Sequence, residues 1–238
     1  MAHIPRIHVA GHIAPGQLTI AGEPAKRLGA VMRVREGDAL LVFSGDGHEW
    51  QAVVGSVGRG EVRVEVGALA RMEPLPALTV ELWCALVRPN RFDWMVEKVT
   101  EAGADIIRPL LCDFSARGEG ASTGRKERWE RITVEASEQS GRLHLPVVAE
   151  PVRFVDQLAK LHAPLLFAHL EVARNWAGTE PLLPHTGALV IAIGPEGGFS
   201  PAEVAAAKAH GALVTALGPH ILRTETAALA AVVLVRAP

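Results

Sequence analysis

The sequence predicts a mixed α/β protein in which a small β domain precedes a larger parallel sheet covered by helices. Three observations carry that expectation. Residues 39–66 read as short strands, ALLVF, HEWQAVVGSV and EVRVEV. From residue 78 onward, strand-like apolar runs alternate with helical patterns, which is the period of a parallel sheet with helices on both faces. Between the two regions RMEPLPAL, residues 71–78, carries two prolines and marks a linker, so the expected domains are residues 1–72 and 73–238.

In the first domain EVRVEV alternates strictly between charge and valine, as a half-buried strand does, and SGDG supplies the turn of a hairpin. One short helix is expected around EPAKRLGAVM, whose apolar positions do not alternate. In the second, LTVELWCALV reads as a strand, NRFDWMVEKVTEAG as a helix, ADIIRPLLC as a strand and RKERWERITVEASEQSG as a helix. The alternation continues through FVDQLAKLH, PLLFAHL, GALVIAIG, SPAEVAAAKAHG, ALVTALG and TETAALAAVVLV.

The chain has 238 residues, 49% of them hydrophobic and 21% charged, an ordinary soluble composition with room for one large or two modest cores. The N-terminus lacks a basic-then-apolar signal pattern and no run approaches a membrane span, so a cytoplasmic protein with no membrane partner is expected. Cys84 and Cys112 are isolated on apolar runs and read as buried thiols, with a reactive pair as the alternative. His3, His8 and His12 are scattered along a strand-like segment, so no metal is expected. The formal net charge of −2 gives no global attraction to nucleic acid. Any RNA affinity would come from local patches such as KRLGAVMRVR (26–35), RPNR (88–91) and RKERWER (125–131), each of which also reads as a solvated surface.

IGPEGGFSPAE, residues 193–203, follows the apolar run GALVIAI. Ser200 is a good N-cap, Pro201 stands at the first helical position, Glu203 completes a capping box, and Phe199 and Val204 have staple spacing. Lys208 and His210 fall in the last turn before Gly211. Serine and glutamate would thus occupy the helix end that a phosphate needs, and neither the phosphate-loop nor the dinucleotide fingerprint is present. The loop disfavours a polyphosphate and suits a neutral or cationic ligand such as S-adenosylmethionine; a tight strand-to-helix connection is the alternative.

ALGPHILRTETAALAAVVLV, residues 216–235, repeats the arrangement, setting Arg223, Thr224, Glu225 and Thr226 at the entry of a helix that is apolar almost all round. Either this polar cluster serves a ligand, or Thr224 caps the helix and Arg223 pairs with Glu225. In VEASEQSGR, residues 134–142, helical spacing lines up Glu135, Glu138, Gln139 and Arg142 on one face, which is equally the pattern of a solvated stripe with an internal Glu-Arg pair.

With these segments in view, the chain resembles the RsmE-type ribosomal RNA small-subunit methyltransferases of the SPOUT class. The matching motifs are EASEQSGR, IGPEGGFSPAE and LGPHILRTETAAL, supported by FDWMVEKVTEAGADIIRP, in the expected order over most of residues 78–238. The first half matches more loosely through IPRIHV and MRVREGDALLVFSGDGHEWQA. The resemblance implies a PUA-like β-barrel RNA-binding domain, then a trefoil-knotted α/β methyltransferase domain, and a homodimer with the active site near the subunit interface. It implies S-adenosylmethionine as cofactor, held by Gly194, Pro195, Glu196, Gly197, Gly198, Leu217, Gly218, Ile221, Leu222, Arg223, Thr224, Thr226 and Ala227. The implied substrate is one uridine of 16S small-subunit ribosomal RNA, naked or within a 30S particle, methylated at ring nitrogen N3.

That nitrogen carries an imide proton, so the chemistry needs a base or donors that stabilise the uracil anion. Arg223 is the expected donor to a uracil carbonyl, Glu135 or Glu225 the proton acceptor, and Gln139, Arg142, Arg88 and Arg91 the residues that position the nucleotide. Competing readings are a SPOUT enzyme acting on a ribose hydroxyl or another base nitrogen, and a non-catalytic dimeric RNA-binding protein.

Overall fold

A computed structural model describes residues 4–115, 124–169 and 175–237. His3 and the last residue of PLLFAHL lie outside them. The chain forms two compact units, Met1–Leu75 with Ser137–Leu145, and Pro76–Ala136 with Pro146–Pro238.

In the first unit five strands, β1 (Arg6–His8), β2 (Gly16–Ala21), β3 (Ala39–Phe43), β4 (His48–Val57) and β5 (Glu61–Met72), pair in the order β1-β3-β4-β5-β2. The alternation of EVRVEV is realised: Val62, Val64 and Val66 are buried and join Ile7, Ile20, Leu40 and Val42 in one core. The expected hairpin joins β3 to β4, with Gly45 and Gly47 supplying the positive φ of its turn. The expected helix is present as α1 (Gly22–Lys26), continued by a wider π-type turn over Arg27–Val31 that buries Leu28.

Ser137–Leu145, which the strand-helix period assigned to the second domain, clusters with the first unit because polar groups there take hold of it. Arg6 donates from Nη1 to the Glu138 carbonyl (3.2 Å) and from Nε to Glu49 (2.6 Å). The His8 N–H donates to Glu138 Oε1 at 2.8 Å, and Arg27 ion-pairs with the same carboxylate. Glu138 is 8% exposed, so this paired carboxylate is a buried anchor.

The second unit is an all-parallel sheet in the order β12-β10-β11-β6-β7-β8, with β9 also pairing to β7. Its strands are β6 (Leu78–Ala85), β7 (Ile106–Leu111), β8 (Val147–Val148), β9 (Val152–Arg153), β10 (Leu165–Ala168), β11 (Gly187–Ile193) and β12 (Leu213–Thr215). Its helices are α2 (Pro89–Glu101), α3 (Arg125–Ser140, shared with the first unit beyond Ala136), α4 (Phe154–Leu158), α5 (Trp176–Thr179), α6 (Pro201–Ala209) and α7 (Thr224–Arg236).

Central strand β6 reads as continuous apolar sequence because both of its faces are covered. Val80, Leu82 and Cys84 pack with Met95 and Val99 of α2 and Ala228 and Val232 of α7. Trp83 and Ala85 pack with Phe154 of α4, Phe167, Phe199 and Ala207 of α6. The one acid in the run, Glu81, is 4% exposed and satisfied by Arg108 Nε at 2.6 Å and Trp83 Nε1 at 2.9 Å. Among the described residues no helix is long and apolar enough to cross a membrane.

Candidate active site

The carboxyl ends of parallel strands are where ligands settle in open α/β sheets. Here β10, β11 and β12 end side by side, and a cavity of about 730 Å³ opens beyond them. That volume suits a cofactor-sized molecule.

The first wall is the loop after β11. A Cβ on Gly194 would stand 2.9 Å from the Phe199 ring, and Gly198 has φ +74, so both positions require glycine. The loop closes into α6 through the capping box read from the sequence: Ser200 Oγ accepts from the Glu203 N–H at 3.2 Å and Glu203 Oε2 accepts from the Ser200 N–H at 2.8 Å. Asp113, after β7, completes the closure, its Oδ2 accepting from Ser200 Oγ at 2.6 Å and its N–H donating to Glu203 Oε1 at 3.0 Å. The start of α6 therefore holds two carboxylates and is closed to a phosphate.

The second wall is the loop after β12 and the start of α7. Thr224 does not cap its own helix. Its Oγ1 donates to the Gly194 carbonyl at 2.9 Å and ties the two loops together.

Of the cofactor-site candidates, Gly194 to Gly198, Leu217, Gly218, Ile221, Leu222, Thr224 and Ala227 line the cavity. Arg223 and Thr226 do not; both are exposed, and Arg223 stands at the N-cap position just before α7 without a side-chain capping bond. The sequence reading missed Ala168 and His169 at the end of β10, Lys208 on α6 and His220, all of which line the cavity.

Glu225 does not pair with Arg223. It is 8% exposed, it is absent from the cavity lining, and its Oε1 lies 3.9 Å from Arg91 Nε. Arg91 also ion-pairs through Nη1 with Glu196 of the glycine loop. Residues read separately as substrate, cofactor and catalytic groups thus form one cluster. The glutamate in the glycine loop is thus paired with an arginine of the same chain.

The helical stripe is also divided. Glu135 and Gln139 are exposed, Arg142 is half-buried, and Glu138 is consumed by Arg6, His8 and Arg27 in the first unit. Arg88 is exposed at the start of α2. Cys84 and Cys112 are buried and free; burial, reinforced by nearby acids, pushes both thiols well above their usual range.

A parallel α/β unit with two glycine loops around a cavity at its carboxyl edge, in a chain that also carries a small β unit, defines a two-domain ligand-binding α/β protein. Residues 73–236 match an RNA methyltransferase domain family and residues 28–67 the PUA domain of RNA methyltransferases. The chain belongs to the family of Ribosomal RNA small subunit methyltransferase E.

The protein of that name from Synechocystis is 32% identical over 234 residues, covering 90% of this chain and 73% of the relative. The Bacillus subtilis protein is 30% identical over 220 residues, covering 89% and 86%. A Legionella pneumophila methyltransferase, solved with its cofactor SAM, superposes with TM-score 0.92 at 29% identity over 99% of this chain and 98% of that one. The Neisseria gonorrhoeae Ribosomal RNA small subunit methyltransferase E bound to S-adenosyl methionine gives 0.84 at 27% identity, covering 97% and 95%.

Proposed function

We propose that the chain, an RNA methyltransferase by family, transfers a methyl group from S-adenosylmethionine to N3 of one uridine in small-subunit ribosomal RNA, in the cytoplasm. The carrying observation is the cavity itself: two glycine-bearing, largely apolar loops, a helix start closed by Ser200, Glu203 and Asp113, and Glu196 already paired with Arg91. Such a site favours a ligand that offers ring nitrogens and hydroxyls over one that carries phosphates. The two SAM-bound relatives support the same reading.

When bound, S-adenosylmethionine supplies the activated methyl group. The chain's own residues must orient the uracil and manage its imide proton. In this reading Arg223, exposed beside the cavity residue Thr224, donates to a uracil carbonyl where negative charge develops, and Glu135 accepts the proton directly or through water. Glu225 is the less suitable base, being buried against Arg91. Gln139, Arg142 and Arg88 would position the nucleotide, and residues 1–72 would serve as the RNA-binding domain beside a methyltransferase domain of residues 73–238. N3 is engaged in duplex pairing, so the target must be unpaired or flipped out.

The proposal includes the trefoil knot, a topology outside the usual un-knotted rule. It also includes a homodimer, which would supply to each cavity groups such as Glu135 that do not line it within one chain. The test is labelled-methyl transfer from S-adenosylmethionine onto unmodified small ribosomal subunits, in parallel with naked RNA, followed by nucleoside mass analysis. 3-Methyluridine supports the assignment, and a methylated ribose or a different methylated base overturns the N3 target.

A further inference from the structure

We infer that Glu225 is a positioning residue: acting through Arg91, it sets Glu196 and with it the Pro195–Gly198 wall of the cavity. The inference rests on reading that cavity as the S-adenosylmethionine site.

Three elements meet in this cluster. Arg91 comes from α2, Glu196 from the glycine loop and Glu225 from α7. The guanidinium presents different edges to its partners, Nη1 to Glu196 and Nε to Glu225 at 3.9 Å. A planar fork can serve two carboxylates from two fixed edges in this way. Without Arg91 the two acids would be like charges bordering one cavity wall.

Glu225 itself is placed at a cost in desolvation. It is 8% exposed, and its Oε2 is buried with no hydrogen-bond partner among the described residues. A carboxylate in that state is poorly built as a packing residue. Its neighbours on α7, Thr224 and Ala227, line the cavity while Glu225 does not, so it has no direct route to a reacting atom. Among the described residues its charged partner is Arg91, and Arg91 is half-buried, with a side chain 28% exposed against 55% for Glu196. The buried acid therefore fixes the arginine, and the arginine fixes the exposed end of the loop. Glu196 is the only member of the three that lines the cavity.

This role differs from that of a proton acceptor in a measurable way. Glu225→Gln removes the charge that holds Arg91 while keeping shape and one acceptor. Expected is a rise in KM for S-adenosylmethionine of about tenfold, with kcat at saturation kept within about twofold, because only loop placement is lost. The reverse pattern, a large fall in kcat at unchanged KM, would make Glu225 the base and overturn the inference.

A double-mutant cycle supplies the second readout. In a Glu196→Ala background, where Arg91 has no loop side chain left to position, Glu225→Gln should weaken cofactor binding no further; additive losses would overturn the relay. Calorimetric titration of the wild-type protein separates the levels of failure. If it does not bind S-adenosylmethionine, the cavity reading and the relay fall together. If it binds and folded Glu225→Gln binds equally well, the relay alone falls.

Discussion

Thr224 Oγ1 donates a 2.9 Å hydrogen bond to the carbonyl of Gly194, so the first residue of the last helix is fastened to the first residue of the glycine loop. Thr224 is 3% exposed, and the bond is therefore largely shielded from water. Thr224→Val keeps the shape and deletes the donor, leaving a carbonyl unsatisfied at a cost of about 1–3 kcal/mol. S-adenosylmethionine affinity measured by calorimetry should fall, and Thr224→Ser should recover most of it.

Ser200 serves two acids at once, accepting from the Glu203 N–H and donating to Asp113. Ser200→Ala removes an N-cap worth about 1 kcal/mol and leaves Asp113 short of a donor. The thermal unfolding midpoint should drop by about 2–4 °C for each kcal/mol lost, and Ser200→Thr should restore part of it.

The buried thiols set an alkaline limit. Burial holds the Cys84 and Cys112 thiols above their usual range in the folded chain. Above about pH 9 the unfolded chain therefore releases thiol protons that the folded chain keeps. Stability from these groups is intact below that pH and falls as pH rises, by up to about 1.4 kcal/mol per pH unit for each thiol. Denaturant unfolding between pH 8 and pH 10 checks this, and replacing Cys84 by Ala should flatten the decline. Native protein should resist thiol reagents at neutral pH.

Arg223 and Glu135 do not line a common cavity in one chain. Arg223→Ala is expected to lose about 10²–10³ in kcat with cofactor binding retained, the range for removing one oxyanion donor. If the homodimer completes each site, mixing Arg223→Ala with Glu135→Gln protein and allowing subunits to exchange should recover activity that neither variant has alone. Absence of recovery would place both residues in the same subunit's site.

What the sequence disclosed was governed by range. The capping box at Ser200 and Glu203, the hairpin turn at SGDG and the alternation of EVRVEV depend on residues a few positions apart, and all are present in the structure. Strand β2 was not anticipated although GQLTIA alternates, because the run is short and of its inward positions only Ile20 is fully buried. The cluster of Arg91 and Glu196 spans 105 positions, and the bond from Asp113 to Ser200 is closed across 87. His169 and Lys208 enter the cavity only because the strand order brings β10 beside β11, and no hydrophobic period encodes that order. Glu138 is the instructive case: helical spacing put it in line with Glu135 and Gln139, while its real partners, His8 and Arg27, lie 130 and 111 positions away.

That distance bears on how the chain is made. A polypeptide leaves the ribosome from its N-terminus, and domains ordinarily finish folding in the order in which they emerge. Here Arg27 and the backbone N–H of His8 appear early but meet Glu138 only after it has been translated, more than a hundred codons later. The first of the two units to be made must wait for that partner, and a nascent chain halted at Leu75 would lack the segment Ser137–Leu145 that completes it.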